Sequence, residues 1–214
     1  MIRNIAFQAL KPFLSLIRIC LRILPGDPIA NNGSSGAELS GANFRGANLI
    51  NIHFSSGVIC TKARDVNLSK ANLSGANLSE ANLQGINLQG ANLSGANLST
   101  SIFKRSNLSD ANLSGANLGG SNLYCANLTR ATLSGANFYH TDLYRANLSM
   151  ADLRGANLSM ANFNGANLYN AVLCRTVLMK TDFSGADLTC TIMTDCIGLS
   201  EAQISDYKAR GAIF

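Results

Sequence analysis

The feature that most constrains this chain is a five-residue phrase, A-N-L-x-x, which repeats through most of its length. From Ala71 to Ser99 the sequence reads ANLSGANLSEANLQGINLQGANLSGANLS. Five residues advance about 500° around an α-helix, so successive Leu residues would step by about 140° and form no stripe. Five is also an odd number, so consecutive Leu residues of a straight strand would fall on opposite faces. The repeat therefore predicts neither a regular helix nor a flat strand.

The period instead predicts a coil that turns a corner every five residues. Within one phrase, Ala and Leu lie two positions apart and share a face, while Asn and the fourth residue point away. The fifth residue is often glycine, as at Gly75, Gly95 and Gly115, which suits a corner that needs unusual backbone angles. A phrase this short cannot bury a core alone, so the coils must stack on one another.

These phrases resemble those of the pentapeptide repeat proteins over roughly residues 37–195. The resemblance implies an all-β solenoid, a right-handed quadrilateral parallel β-helix of about eight coils, with four phrases in each coil. The long consensus-like run and the closing segment, GLSEAQISDYKARGAIF, look cyanobacterial in style. We divide the rest of the chain into a basic amphipathic helical segment at 1–25, a linker at 26–36 and a helical cap at 196–214.

The repeat changes register once, where the central residues Ile59 and Leu68 lie nine positions apart rather than ten. We interpret segment 60–65, CTKARD, as a bulge or short loop in which one residue has been lost. Such an irregularity is either tolerated at the surface or contacts a partner, and the sequence leaves both alternatives open.

With four phrases per coil, every twentieth residue falls in one column. One column of core centres gathers the larger side chains and contains Leu83, Phe103, Leu123, Leu143, Phe163 and Phe183. On the outer surface of the same side, larger residues replace the consensus Ser and Gly and form a candidate protein-binding surface. These residues are Lys104, Arg105, Tyr124, Tyr144 and Arg145. Tyr and Arg are enriched at binding hot spots. Two alternatives are tyrosines that merely cover the sheet and a nucleic-acid stripe, which the sparse positive charge disfavours.

The C-terminus carries signals for a capping helix. Ser200 with Gln203 matches a capping box, and Gly211 can end the helix. Stacked coils expose unpaired edges at their ends, so a cap is expected, and an uncapped end would offer a route to a homodimer.

The N-terminal segment is basic and amphipathic. On a helical wheel Arg3, Lys11, Arg18 and Arg22 share one arc, and Pro12 would kink or divide the helix. The opposite arc contains candidate membrane or dimer contacts at Ile2, Ile5, Leu10, Phe13, Leu16, Ile17 and Leu24. The segment is too interrupted to span a bilayer and lacks a signal-peptide cleavage pattern. It could cap the first coil, pair with its copy in a homodimer, lie on a membrane surface or serve as a targeting peptide.

The sequence predicts neither an enzyme nor a metal or cofactor site. His53 and His140 have no nucleophile–base arrangement around them, and the cysteines lack C-x-x-C spacing. The thiols therefore fit a reduced, cytoplasmic location, with the membrane surface as an alternative. We expect a non-enzymatic scaffold that binds an unidentified protein partner in a regulatory role. The alternative, also from the family resemblance, is a DNA mimic that binds DNA gyrase, which the balanced charge of the repeats opposes.

Overall fold

The computed structural model describes residue 41, residues 43–46 and residues 67–214. The predictions for the helical segment at 1–25, the linker at 26–36 and the loop at 60–65 lie outside the described residues.

Residues 67–186 form six successive coils of 20 residues, joined by parallel bridges between positions one coil apart. Each bridge involves a single residue, usually the Asn of a phrase, as in the pair Asn72↔Asn92. Each coil therefore has four sides, which we number by the central residues of the first coil. Face 1 contains Leu68, face 2 Leu73, face 3 Leu78 and face 4 Leu83, and each face recurs every 20 residues.

Backbone hydrogen bonds between coils involve the two residues at the middle of each side and the corner residue that follows them. The N–H of Leu73 donates to the carbonyl of Asn92 at 2.7 Å, and the N–H of Asn92 donates to the carbonyl of Ala71 at 2.9 Å. At the corner, the N–H of Ala76 donates to Leu73 across 3.0 Å and closes the turn. A phrase thus pairs its backbone with the coils on both sides, which satisfies groups that burial would otherwise leave unpaired.

The core consists of the inward Ala and Leu of every phrase, almost all of them inaccessible to solvent. The column of larger centres on face 4 is buried throughout, and the rings of Phe163 and Phe183 stack with centroids 5.1 Å apart. Where Ser or Thr replaces the inward Ala, its hydroxyl donates to a backbone carbonyl, as Thr141 does to Leu118 at 2.8 Å. These buried hydroxyls are therefore not left without partners.

The Asn side chains hold the corners as well as forming the outer wall. Asn72 Oδ1 accepts the N–H of Ser74, two residues later, at 3.1 Å, which is an Asx turn. On face 3 these side chains also bond to one another from coil to coil. This ladder comprises Asn77, Asn97, Asn117, Asn137 and Asn157.

Every described corner ends on a residue with positive φ, whether or not that residue is glycine. Gly135 has φ +66°, but Arg105, Arg145 and Met150 adopt φ of 57°, 54° and 60°. A non-glycine residue in this left-handed region costs about 1–2 kcal/mol. The sequence identified the corner from its glycines, and the structure shows that the stacking imposes the same conformation on the other residues.

The register change between Ile59 and Leu68 lies outside the described residues, so its interpretation as one lost residue stays a prediction. Asn43 bridges Asn72, 29 positions along the chain, whereas later bridges within the coils span 20. This separation exceeds the regular period by nine positions, which is two phrases less one residue.

A nine-residue helix, α1 (Glu201–Ala209), follows the last coil. The predicted capping box is present, since Ser200 accepts the N–H of Gln203 and Gln203 bonds back to the N–H of Ser200. Tyr207 is buried with its ring edge toward Phe183, at a centroid distance of 5.5 Å. The chain then forms a last bridge from Ile192 to Ile213. The helix thus covers the end of the face 4 column.

Candidate protein-binding corner

The five residues of the candidate binding surface lie on one corner of the solenoid, between face 4 and face 1. We call this set, Lys104, Arg105, Tyr124, Tyr144 and Arg145, the Tyr–Arg corner. Each member occupies the fourth or fifth position of a face 4 phrase, and the three phrases stand directly above one another. The 20-residue period therefore brings together side chains that are 41 positions apart in sequence.

Tyr124 and Tyr144 stack face to face, with ring centroids 5.6 Å apart and planes inclined by 9°. Their backbones are fixed by Asx turns, in which Asn122 and Asp142 accept the N–H groups of Tyr124 and Tyr144. The guanidinium of Arg145 lies 5.2 Å from the centroid of the Tyr144 ring, within cation–π range. Both rings are half-buried, so each presents part of its surface to solvent.

The cations of the Tyr–Arg corner have no ion-pair partner among the described residues. Elsewhere Arg130 bonds to Asp110 at 2.7 Å and Arg154 to Asp152 at 2.6 Å. In both pairs the hydrogen bond from the arginine lowers the pKa of the aspartate below its ordinary value. Arg105 and Arg145 are instead exposed, and Lys104 is half-buried. The Tyr–Arg corner therefore carries positive charge that no acidic side chain of the described residues neutralises in an ion pair.

Cys125 lies at the same corner, half-buried in the column of Arg105 and Arg145 and one coil from each. Sequence reasoning missed one surface elsewhere. On face 3 the Asn ladder ends in the apolar residues Val177 and Ile197. This surface could have been found by reading down the columns for departures from the consensus. Tyr139 and His140 lie on a different corner, between faces 3 and 4, with ring centroids 6.3 Å apart.

Nothing in the described part of the chain gathers metal-binding side chains. No group of three or more His, Cys, Asp or Glu there could hold an ion. An open hollow between α1 and face 4 is lined by residues that include Asp182, Gln203, Asp206 and Arg210. Arg210 already bonds to Asp206 and to two backbone carbonyls, so this hollow is part of the cap.

A family model described as pentapeptide repeats matches the chain in eight copies, over residues 35–56, 61–95, 81–120, 121–159 and 157–195. The chain belongs to the pentapeptide repeat family. The resemblance inferred from its phrases is confirmed. Pentapeptide repeat proteins fold as right-handed quadrilateral β-helices, in agreement with the four-sided coils described above. They are in general structural or interaction modules rather than enzymes.

Several solved structures of the family are similar to this chain. QnrB1, a plasmid-mediated fluoroquinolone resistance protein, is 20% identical, with a TM-score of 0.48 over 84% of this chain and 97% of its own. HetL, from the cyanobacterium Nostoc sp. strain PCC 7120 and involved in heterocyst differentiation regulation, is 24% identical to this chain. Its TM-score is 0.33, and the match covers 76% of this chain and 93% of HetL. A pentapeptide repeat protein of the Arabidopsis thaliana thylakoid lumen is 34% identical to this chain. Its TM-score is 0.35, and the match covers 58% of this chain and 80% of that protein.

No curated protein sequence gives a significant match to the chain. Among the described residues, no helix has the length and apolar character needed to cross a membrane.

Proposed function

We propose that this pentapeptide repeat protein is a non-enzymatic scaffold that binds a protein partner, in a regulatory role, through the Tyr–Arg corner. The observation that supports this most is the stacked pair Tyr124 and Tyr144 beside cations without ion-pair partners in the described chain. The fold does not require this surface, because the same positions elsewhere are mostly Ser, Thr and Gly.

The geometry suits binding because the corner is already ordered. The two rings support each other and Arg145 lies over one of them, so little side-chain entropy remains to be lost on association. Half-buried tyrosines offer an apolar surface with a polar tip, and the neighbouring cations would favour a partner with acidic residues. The rival interpretation is that the tyrosines only cover the sheet, in which case their removal would change stability and leave partner binding intact.

Affinity capture from the native host tests the proposal directly. We expect a protein that the wild-type chain retains and the Tyr124→Ala/Tyr144→Ala variant loses. The matched control is Tyr139→Ala/Tyr169→Ala, which removes two exposed tyrosines from other corners. Capture of the partner by the Tyr124→Ala/Tyr144→Ala variant at the wild-type level would refute this choice of surface, and loss of the partner from both variants would refute it as well, since it would indicate a general effect of tyrosine removal.

The alternative, a DNA mimic that binds DNA gyrase or another DNA-binding protein, receives no support from the charge of the described residues. Residues 67–214 contain ten Lys and Arg against nine Asp and Glu. A duplex mimic needs a dense negative surface, because DNA carries about one charge per 1.7 Å of its length.

We further propose that the protein is cytoplasmic and that segment 1–25 brings it to membrane surfaces. The supporting observation is the separation of its basic and apolar residues into opposite arcs, as in interfacial helices. Full-length protein should float with anionic liposomes, and a chain that starts at Gly33 should not. If both remain in the soluble fraction, the membrane contact is refuted, and capping or dimerisation by this segment becomes the better account.

A further inference from the structure

The outward side of the solenoid changes character in its last two coils, and it does so on two faces only. The consensus Asn is replaced by Val172 and Ile192 on face 2 and by Val177 and Ile197 on face 3. The other two faces keep polar residues at the equivalent level. These are Asn167 and Asp187 on face 1 and Asn162 and Asp182 on face 4.

Stability of the coil does not explain these replacements. Val and Ile have no side-chain oxygen, so the corners that follow them lose the Asx turn that Asn157 still provides for Ser159. Ile197 is 61% exposed, and Val172, Val177 and Ile192 are half-buried and so keep part of their surface in solvent. Solvent-accessible apolar residues in place of hydrogen-bonding Asn side chains indicate a surface that another molecule or another segment covers.

Face 3 holds the larger part of this surface. Met179 is 56% exposed and Met160 42% exposed, on the corner that borders Val177 and Ile197. We call Met160, Val177, Met179 and Ile197 the apolar end patch. All four lie on face 3 or on its corner with face 4, within three coils.

The charges at the edge of the patch indicate what covers it. Arg175 and Asp195 lie one coil apart on the corner between faces 2 and 3, both exposed and neither in an ion pair within the described chain. Two copies packed face to face, with their solenoids antiparallel, would set each Arg175 against the partner's Asp195. The same two-fold axis would set each Val177 against the partner's Ile197. The patch is thus self-complementary, as an isologous interface requires.

We propose that the apolar end patch is a homodimer interface in which two solenoids overlap over their last coils and point in opposite directions. Other occupants fit less well. A membrane surface would offer no acceptor matched in position to Arg175 and no donor matched to Asp195, and the basic segment 1–25 would meet Arg175 and Lys180 of like charge. This interface lies away from the Tyr–Arg corner, so it does not depend on the function proposed above.

The oligomeric state of the full-length protein tests the proposal. By light scattering after size exclusion, we expect about twice the chain mass of 22.6 kDa, with dilution giving monomer. Ile197→Asn restores the consensus residue and should weaken the dimer at least about tenfold, which follows if the buried side chain contributes about 1.4 kcal/mol. The matched control is Ile102→Asn, the same exchange at an outward position of face 4, which should leave the dimer unchanged.

A charge exchange tests the orientation of the two copies. Arg175→Asp should weaken the dimer, and the double variant Arg175→Asp/Asp195→Arg should restore it, because only an antiparallel packing opposes these two residues. Thermal melting of each variant would show that the coils remain folded. A wild-type monomer at high concentration would overturn the proposal, as would a dimer that survives Ile197→Asn, which would place the contact in segment 1–25 or another surface.

Discussion

At the scale of single residues, the corners show how backbone conformation determines which side chains are tolerated. Gly135 has φ +66°, and a methyl group added to it would have no heavy atom within 4 Å. Met150 has φ 60° and is 52% exposed. The two positions therefore differ in their side chains but share the left-handed backbone conformation. A side chain added at the glycine would meet no steric crowding.

We expect Gly135→Ala to lower the free energy of unfolding by about 1 kcal/mol, because alanine pays the cost of the left-handed region. Met150→Gly should raise it by about 0.5 kcal/mol, because relief of strain exceeds the added entropy of the unfolded chain. Urea unfolding followed by circular dichroism measures both. Changes of the same sign at the two positions would contradict the account of the corners given above.

The aspartates of the repeat predict how stability depends on pH. Hydrogen bonds lower the pKa of four of them below the ordinary value, mainly from Arg130, Arg154, Ser184 and Thr189. These residues are Asp110, Asp152, Asp182 and Asp187. A lowered folded-state pKa stabilises the fold above the unfolded pKa of about 4, and this contribution is lost as the pH falls through the folded value.

We therefore expect the free energy of unfolding to decline below about pH 4. Asp182→Asn/Asp187→Asn should flatten that decline, because asparagine keeps the acceptor for the Asx turn and does not titrate. Denaturant midpoints between neutral and acid pH measure the slope. Asn162→Ala, which removes an Asx turn without removing a charge, serves as the control and should lower stability with little change of slope. Equal slopes in wild type and the double aspartate variant would contradict the prediction.

At the scale of the coil and its faces, register is what sequence reasoning predicted best. The 20-residue period that the family resemblance implies places Tyr124 and Tyr144 in one column, and the structure stacks their rings. The columns can be read from the sequence because every coil repeats the same backbone pairing, so residues 20 positions apart lie directly above one another. The separation of 29 positions between Asn43 and Asn72 could not be predicted in this way, because a count of phrases does not give the number of residues between two bridged coils.

The apolar end patch was missed for a different physical reason. Val177 and Ile197 occupy the Asn position, which the pattern treats only as outward-facing wall. The hydrophobicity of these two residues alone does not show that the neighbouring faces have Asn and Asp at the same level along the solenoid axis. That contrast appears only when the chain is wound into four sides and the columns are compared. The role of a side chain in this fold therefore depends on residues 5, 10 and 20 positions away.

The Asn ladder of face 3 should be a stabilising element in its own right. Asn117 accepts the N–H of Gly119 at 3.1 Å and the side-chain amide of Asn137 at 2.9 Å. We expect Asn117→Ala to lower the free energy of unfolding by about 1–2 kcal/mol, since it leaves these donors without an acceptor. Asn117→Asp keeps the acceptor and should have a smaller effect.

Thr132→Ala provides the matched control for the ladder, since Thr132 is exposed at the same position of a phrase on face 2. Its effect should stay within about 0.5 kcal/mol. Chemical unfolding of the three variants gives the comparison. Equal losses for Asn117→Ala and Thr132→Ala would show that the ladder contributes no more than any wall residue.

At the scale of the whole molecule, the distribution of surface chemistry separates three regions. The middle coils carry a hydrogen-bonded polar wall, one corner carries stacked tyrosines with cations, and the final coils carry an apolar patch on one side. A solenoid allows this because each coil contacts only its neighbours, so a change of outer residues on one coil does not disturb the rest. Partner binding and self-association can therefore reside on the same rod without competing for surface.

The charge of the whole rod gives the last prediction. The coils from residue 67 onward rise by about 4.8 Å each, so the described solenoid is about 35 Å long, a length over which duplex DNA carries roughly 20 negative charges. Residues 67–214 offer nine acidic side chains, offset by ten basic ones. We expect supercoiling by DNA gyrase to be unaffected by this protein, with or without a quinolone. Protection of gyrase at a modest excess of protein would show that shape outweighs charge, and it would make gyrase the partner to examine at the Tyr–Arg corner.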